Sequence, residues 1–516
     1  MNRRSGMKIR WILVAVGFAA LISVALSLRT SREVTTSSNQ AYNYFRAGLE
    51  NADRLYSVEA LENFEAAVQL DSSFATAWSY LSIYYAKLGR KEECKIAAKR
   101  AYDLAQELPE RERLSIFLRT AEYRGDRENI EIYLREMLEK YPDELEPIYM
   151  QASRNWKQGK LDEAINGFKR VLEINPNYAL AYNNLGYLYA QLGDYDQAVV
   201  NLQKYAFIAP EQANPFDSLG EIYIMIGRYD EALEQFERAL AVKPNFSIEP
   251  SMLGSAIYIH MARALWHQGK LQAAREYLQK ASELSIWDWR HQEILIEEAR
   301  IQHAQNQFTE AIATLNKALE LYKNPVEINP RLALNYAELG NTVKIKQLID
   351  ENQIHLIKRV QKCLDDSTVS DEETITDHIE TCEYCKTVER LGRYMDIFAK
   401  RASGDYAGAL TRTMEILGEV KTSESKILLQ HLIARTYYDM GEYEKALETL
   451  EPLTEINPNH YLFVLLTAKS LIKLGDYQLA EKKLQNFLYK YNDADPDWEP
   501  RLEAEKLLTQ VQKTLF

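Results

Sequence analysis

Cysteine is scarce, four in 516 residues. That excludes a disulfide framework as the source of stability. Glycine and proline are few as well, 20 and 14, so collagen-like and low-complexity architectures are out. Positive charge is in deficit. Lys and Arg total 62 against 75 Asp and Glu, a net charge of −13. Such a chain has no electrostatic footprint for a phosphate backbone, which argues against nucleic acid as a partner. Catalytic signatures are missing too: there is no Gly-rich phosphate loop, no Gly-x-Ser-x-Gly and no His-Glu-x-x-His. Apolar residues are plentiful at 46%. The length exceeds what one compact core holds, so the architecture is either divided or repetitive.

Trp11 to Leu28 carries no charge. As a helix it would reach roughly 27 Å, close to the thickness of a bilayer's hydrocarbon. Arg3, Arg4, Lys8 and Arg10 precede it, and Arg29 and Arg32 follow. The heavier basic side belongs in the cytoplasm. The expectation is a single-pass anchor, N-terminus cytoplasmic and the rest extracytoplasmic, periplasmic in a Gram-negative cell. A cleaved signal peptide ending near Ala25-Leu26-Ser27 is the competing reading. Residues 29–40 read as a polar linker.

Beyond it, proline returns at Pro142, Pro176, Pro210 and Pro244, each step 34 residues. Two adjacent copies, NYALAYNNLGYLYAQLGDYDQAVVNLQKYAFIAP and QANPFDSLGEIYIMIGRYDEALEQFERALAVKPNF, share one skeleton of apolar, small and aromatic positions. A period of this length and content marks stacked helix–turn–helix units. Counting from the first helical residue, positions 4, 7, 8 and 11 form one face of helix A, and 20, 24 and 27 one face of helix B. Small residues at 8 and 20 let the two helices approach.

This pattern resembles the tetratricopeptide repeat family. The resemblance implies an all-α, right-handed superhelical solenoid, here with one N-terminal transmembrane helix. About eight repeats are expected over 41–323, a degenerate region over 324–386, further repeats over 387–495, and a capping helix over 496–516 in which Trp498, Leu502, Leu507 and Leu508 cover the last repeat. Cys94 falls at position 20 and reads as a buried alanine substitute. The stretch LPERERLSIF followed by YRGDRENIEIYLREMLEKYP is similar to repeat regions appended to bacterial membrane signalling proteins.

In that family, positions 2, 5, 9 and 12 of helix A line the concave side. Here they include Tyr149, Ser153 and Trp156, then Asn183 and Tyr187, then Asn214, Asp217 and Glu221. Such a face suits an extended peptide or a helix of a protein partner, with Asn side chains bonding its backbone. The family's carboxylate-gripping variant places Lys and Arg in the groove; Asp217 and Glu221 depart from it.

The segment CLDDSTVSDEETITDHIETCEYC is different. Ser370 and Glu373 form a capping box, so a helix is expected from Asp371. On it His378, Cys382 and Cys385 share a face. With Cys363 they supply four ligands of the kind a structural zinc site uses. The spacing resembles the zinc-binding motif of bacterial anti-sigma factors. Zinc, a disulfide among Cys363, Cys382 and Cys385, and unlinked thiols all remain open here. Of the other histidines, His260 and His267 have no acidic or thiol partner at ligand spacing, and His291, His303, His355, His431 and His460 read as isolated surface or packing residues. Trp287 and Trp289 are expected to plug a joint between repeats. The function expected is a non-catalytic scaffold for protein–protein interaction. The alternative is a signalling regulator whose Cys/His insertion responds to zinc or redox state.

Overall fold

The computed structural model describes residues 34–124, 126–243, 256–285, 288–322, 325–366 and 383–515. The expected anchor at 11–28, Pro244, the insertion Ser247–Gly254, Trp287, His378 and Cys382 lie outside these. Among the described residues no helix is long and apolar enough to cross a membrane.

Those residues form twenty-five helices and no strand. The helices pair in sequence twelve times, from Asn39–Asp53 with Ser57–Leu70 to Tyr461–Leu474 with Tyr477–Lys490, and Glu499–Leu515 ends the series. One pair was not legible as a repeat. Pro325–Glu338 and Thr342–Asp366 form a hairpin inside the stretch where the motif's register lapses. Its core residues Ile328, Leu332, Ala333 and Ile345 are fully or almost fully buried. The motif survives in the first helix, where Leu332, Ala333 and Tyr336 hold positions 7, 8 and 11, but position 20 is Ile345 instead of a small residue.

The pairs divide into two compact units meeting at Pro147. In the first, aromatic rings fill the space between helices: Phe45 stands 5.0 Å from Phe74 and 5.5 Å from Tyr80, ring centre to ring centre. The end of the expected linker is tied down. Thr35 donates from its backbone N–H and its hydroxyl to the buried Glu112 carboxylate at 2.9 and 2.6 Å. Thr36 and Ser37 donate to Asp71. Burial would raise the Asp71 pKa, but hydrogen bonds from Ser73, Thr36 and Ser37 hold it well below the ordinary value. Cys94 is half-buried rather than buried, so its alanine-like role is partial.

The second unit shows why the motif residues are there. Ala164, Ala198, Ala232, Ala274, Ala311 and Ala446, all at position 20, have no exposed surface. Opposite them a small residue at position 8 admits the large residue of helix B. A Cβ on Gly186 would stand 2.6 Å from Leu202, and one on Gly220 would collide with Phe236. Three of the turns within pairs share one device, a glycine followed by an aspartate. Gly193, Gly404 and Gly475 end helix A at positive φ. Asp194, Asp405 and Asp476 follow and cap helix B by accepting from the N–H three residues on.

The same unit coils back onto itself. The Tyr195 hydroxyl lies 3.0 Å from Ser423 Oγ. Asn457 Nδ2 donates to the Met225 carbonyl and to the Tyr229 hydroxyl, both at 3.3 Å. Asn459 Nδ2 donates to the Gly227 carbonyl at 3.1 Å, across 232 residues. Asp495 N–H donates to the Gly269 carbonyl at 2.9 Å. The turns within the pairs around residues 193, 227 and 269 therefore meet the joints between pairs around 423, 457 and 495. Both run in the same direction, so one coil of the ribbon rests on the next.

The final helix closes the stack. Trp498 is fully buried, with ring centres of Tyr491 at 5.0 Å and of Phe487 and Tyr461 at 5.9 Å. Leu507 and Leu508 pack against the same core, whereas Leu502 is 40% exposed and does not take part in the cap.

Candidate functional site

The inner face is built from helix A side chains that bind one another across one repeat. The Tyr149 hydroxyl accepts from Asn184 Nδ2 at 2.8 Å, and Trp156 Nε1 donates to Gln191 Oε1 at 2.7 Å, each across 35 residues. The Tyr187 hydroxyl donates to Glu221 Oε2 at 2.5 Å across 34 residues. Arg263 Nη2 donates to Glu297 Oε1 at 2.6 Å across 34, and Arg401 Nη1 to Thr436 Oγ1 at 2.5 Å across 35. The ladder follows from the period. Equal positions in adjacent units face each other, so a donor in one meets an acceptor in the next.

The expected groove residues fall into two groups. Tyr149, Ser153, Trp156, Asn183 and Tyr187 are half-buried. Among the described residues, Asn183 Oδ1 is buried and has no hydrogen-bond partner. Asn214 and Asp217 are instead buried, 4% and 2% exposed. Asn214 Nδ2 donates to the Tyr205 hydroxyl at 3.2 Å. Asp217 Oδ1 lies 2.9 Å from His260 Nδ1, and Glu221 Oε1 lies 3.4 Å from His260 Nε2. Spacing along its own helix gives His260 no acidic partner, yet the fold supplies two. Its partners come from the preceding pair, where spacing within one helix does not show them. Burial alone would lower the His260 pKa, but Glu221 and Asp217 hold it above the ordinary value.

The inner face extends beyond Glu221. Position 9 of the later units reads Arg263, Arg300, Arg435 and Lys469. Arg263 and Arg300 share the Glu297 carboxylate, whose side chain is 1% exposed. Burial would raise the Glu297 pKa, but Arg263 and Arg300 outweigh it and hold it at about 2. Arg435 pairs with Glu338 at 2.7 Å and Lys469 with Glu503 at 2.6 Å. The signal was available in the shared position number.

Two cavities lie where the coils meet. One of about 230 Å³ is lined by Tyr195, Glu221, Arg263, His267, His460 and Phe463 among others. The other, about 290 Å³, is lined by His303, Glu338, His431, Arg435 and Tyr461 among others. The histidines are therefore not isolated. The His267 and His460 ring centres stand 5.4 Å apart, and His460 stacks on Phe463 at 4.3 Å. Burial lowers the pKa of His460 to about 4. Burial, with His460 and Arg435 adding to it, lowers that of His431 to about 3. His267 is also driven well below the ordinary value, first by burial and then by His460. Trp289 lines a third hollow with Arg263, Arg300 and Arg331, and carries the Arg290 guanidinium over its ring at 4.4 Å.

Of the four residues expected as metal ligands, only Cys385 has a described side chain. It is fully buried and packs with Leu356, Val388 and Val326. Cys363 lies in the last turn of Thr342–Asp366. Its side chain lies outside the described residues, as do His378 and Cys382.

Comparison with known proteins agrees with the repeat pattern. A model of the TPR repeat matches residues 156–193, and one of the tetratricopeptide repeat matches 179–211. A model of anaphase-promoting complex, cyclosome, subunit 3 matches 403–487, and one of the FAT domain 228–391. No curated protein matches the chain. Among solved structures, a tetratricopeptide repeat protein from Parabacteroides merdae is 18% identical, with TM-score 0.33, over 58% of this chain and 99% of that one. MamA from Desulfovibrio magneticus is 21% identical, with TM-score 0.30, over 34% and 94%. A Pseudomonas aeruginosa pilF structure is 17% identical, with TM-score 0.29, over 49% and 94%. The chain carries tetratricopeptide repeats, matched at residues 156–211 within a longer run of paired helices.

Proposed function

We propose that this is a non-catalytic scaffold that holds an extended segment of a protein partner along the inner face of helices Leu145–Lys157 and Ala179–Leu192. The observation that carries the reading is Asn183, whose carbonyl oxygen is buried and unbonded among the described residues, on a half-exposed face with Tyr149, Ser153 and Trp156. An unpaired buried acceptor costs about 1–3 kcal/mol, and a backbone N–H of a bound peptide would remove that cost. Further along, the inner face is occupied by ion pairs such as Arg263–Glu297 and Lys469–Glu503, whereas these two helices are joined only by neutral hydrogen bonds among the contacts described above. The charge-free run at 11–28 would anchor the scaffold in the membrane, N-terminus cytoplasmic and repeats on the other side. Its effect there would be to raise a partner's local concentration.

The test places a photo-crosslinking residue at Ser153 or Asn183 in the anchored protein, with Phe207 as the control, 77% exposed on a helix B. One partner should be captured from the inner positions and not from the outer one. Equal capture from all three positions would argue against the reading. The segment from Cys363 to Cys385 keeps its zinc or redox role as a separate proposal, decided by metal analysis and thiol counting on the purified chain.

A further inference from the structure

Asp217, His260 and Glu221 come together from two adjacent repeats, and their ligand atoms lie within 4.8 Å of one another. The geometry is informative atom by atom. A carboxylate only accepts, so the 2.9 Å contact at His260 Nδ1 is an N–H donated to Asp217 Oδ1. That leaves Nε2 facing Glu221 Oε1 at 3.4 Å. Glu221's other oxygen is already engaged by the Tyr187 hydroxyl. The facing pair is too far apart for a charge-assisted hydrogen bond, which runs about 2.7–2.9 Å. With the ring neutral, two lone pairs confront each other. A span of about 3.3 Å is what two ligands subtend across a tetrahedral ion with bonds of about 2.0–2.1 Å.

Charge points the same way. Two carboxylates with a neutral imidazole sum to −2 in a place where Asp217 is 2% and His260 7% exposed. A dication held at the two ligand atoms would balance that sum at the carboxylates themselves, whereas the Arg263–Arg300–Glu297 group beside them carries one net positive charge. The Asp217–His260 contact is also the arrangement in which a carboxylate fixes the ring of a metal-bound histidine. Glu221 borders the cavity of about 230 Å³, so water can reach and complete the coordination.

We propose that His260 Nε2 and Glu221 Oε1 bind a divalent transition-metal ion of the zinc class, oriented by Asp217 and completed by water from the cavity. This site is separate from the Cys/His segment and from the groove residues proposed to hold a partner. Its role is structural, joining two repeats next to the seam between coils.

The test titrates cobalt(II) alone into the full chain, stripped of metal and held in detergent, and reads the visible spectrum. A site of nitrogen and oxygen ligands gives d–d bands without the thiolate charge-transfer band that cysteine ligands produce. We expect one such equivalent, abolished in His260→Gln and Glu221→Gln and weakened about 10–100-fold in Asp217→Asn. Circular dichroism melts of each variant show whether it is folded. Since Asp217→Asn keeps both ligands, a graded loss in that variant reports on the site even if another variant misfolds. Absence of a sulfur-free cobalt spectrum, or one unchanged in folded Glu221→Gln and Asp217→Asn, would overturn the proposal.

Discussion

Asn457 sits against Gly227 so closely that a side chain on that glycine would collide with its Oδ1, while its Nδ2 holds the Met225 carbonyl at 3.3 Å. This one contact joins two stretches separated by 232 residues in the chain. Gly227 also has φ +76, where an L-residue is strained. Gly227→Ala should therefore destabilise by the strain, about 1–2 kcal/mol, plus the cost of displacing Asn457. Gly404→Ala is the control, at φ +82 with nothing within 4 Å of its would-be Cβ. Urea unfolding should show the larger loss at Gly227. Equal losses would mean that Asn457 does not occupy that space.

Phe236 is fully buried against Gly220, whereas Phe207 is 77% exposed. Phe236→Ala should cost about 3–5 kcal/mol and Phe207→Ala less than about 0.5 kcal/mol. Thermal unfolding of the two variants checks the assignment of core and surface. Similar melting temperatures would contradict it.

Glu297 balances Arg263 and Arg300 from a site where its side chain is 1% exposed. Glu297→Gln keeps the shape but removes the charge. It should destabilise by about 3 kcal/mol, with a smaller share from Arg300, which is 38% exposed. Lowering the pH reveals the same residue, since a depressed carboxyl contributes stability that is lost progressively as pH falls from about 4.5, the ordinary value, to about 2.

The buried histidines act in a milder range. His460, near 4, and His431, near 3, stay neutral in the fold where the unfolded chain takes up protons from about pH 6.5. The unfolded state then binds more protons, so stability rises with pH through this window and is lost as pH falls below about 6.5. At pH 5 each should cost on the order of 2 kcal/mol. Urea melts at pH 7.5, 6 and 5 should show falling stability, with a flatter slope in His460→Gln. A slope unchanged by that substitution would contradict the burial of the ring.

The repeat was legible because position 20 must be small and position 8 must admit its partner. Ala232 and Gly220 satisfy those demands locally, within one period. The hairpin Pro325–Glu338 with Thr342–Asp366 was missed because position 20 carries Ile345 instead of a small residue and its second helix runs on to Asp366, although Leu332, Ala333 and Tyr336 keep the motif in its first helix. The histidine contacts were missed for another reason. His260 meets Asp217 across a 43-residue step lengthened by an insertion, and His460 meets His267 only because the coil closes. Neither relation lies within one helix, where periodicity can be read. The basic series at position 9, Arg263, Arg300, Arg435 and Lys469, is legible in the sequence because it keeps one position number from unit to unit.

One coil of the ribbon rests on the next, and two ion pairs cross the seam. Lys270 Nζ lies 2.7 Å from Asp493 Oδ2, and Lys490 Nζ lies 3.4 Å from Asp230 Oδ2. A carbodiimide, which joins only amines and carboxylates already in contact, should convert both ion pairs into amide bonds within a single chain. Mass spectrometry of the monomer should find peptides carrying Lys270 linked to Asp493 and Lys490 linked to Asp230. Crosslinks confined to neighbouring repeats, with none joining residues 230–270 to 490–493, would contradict it.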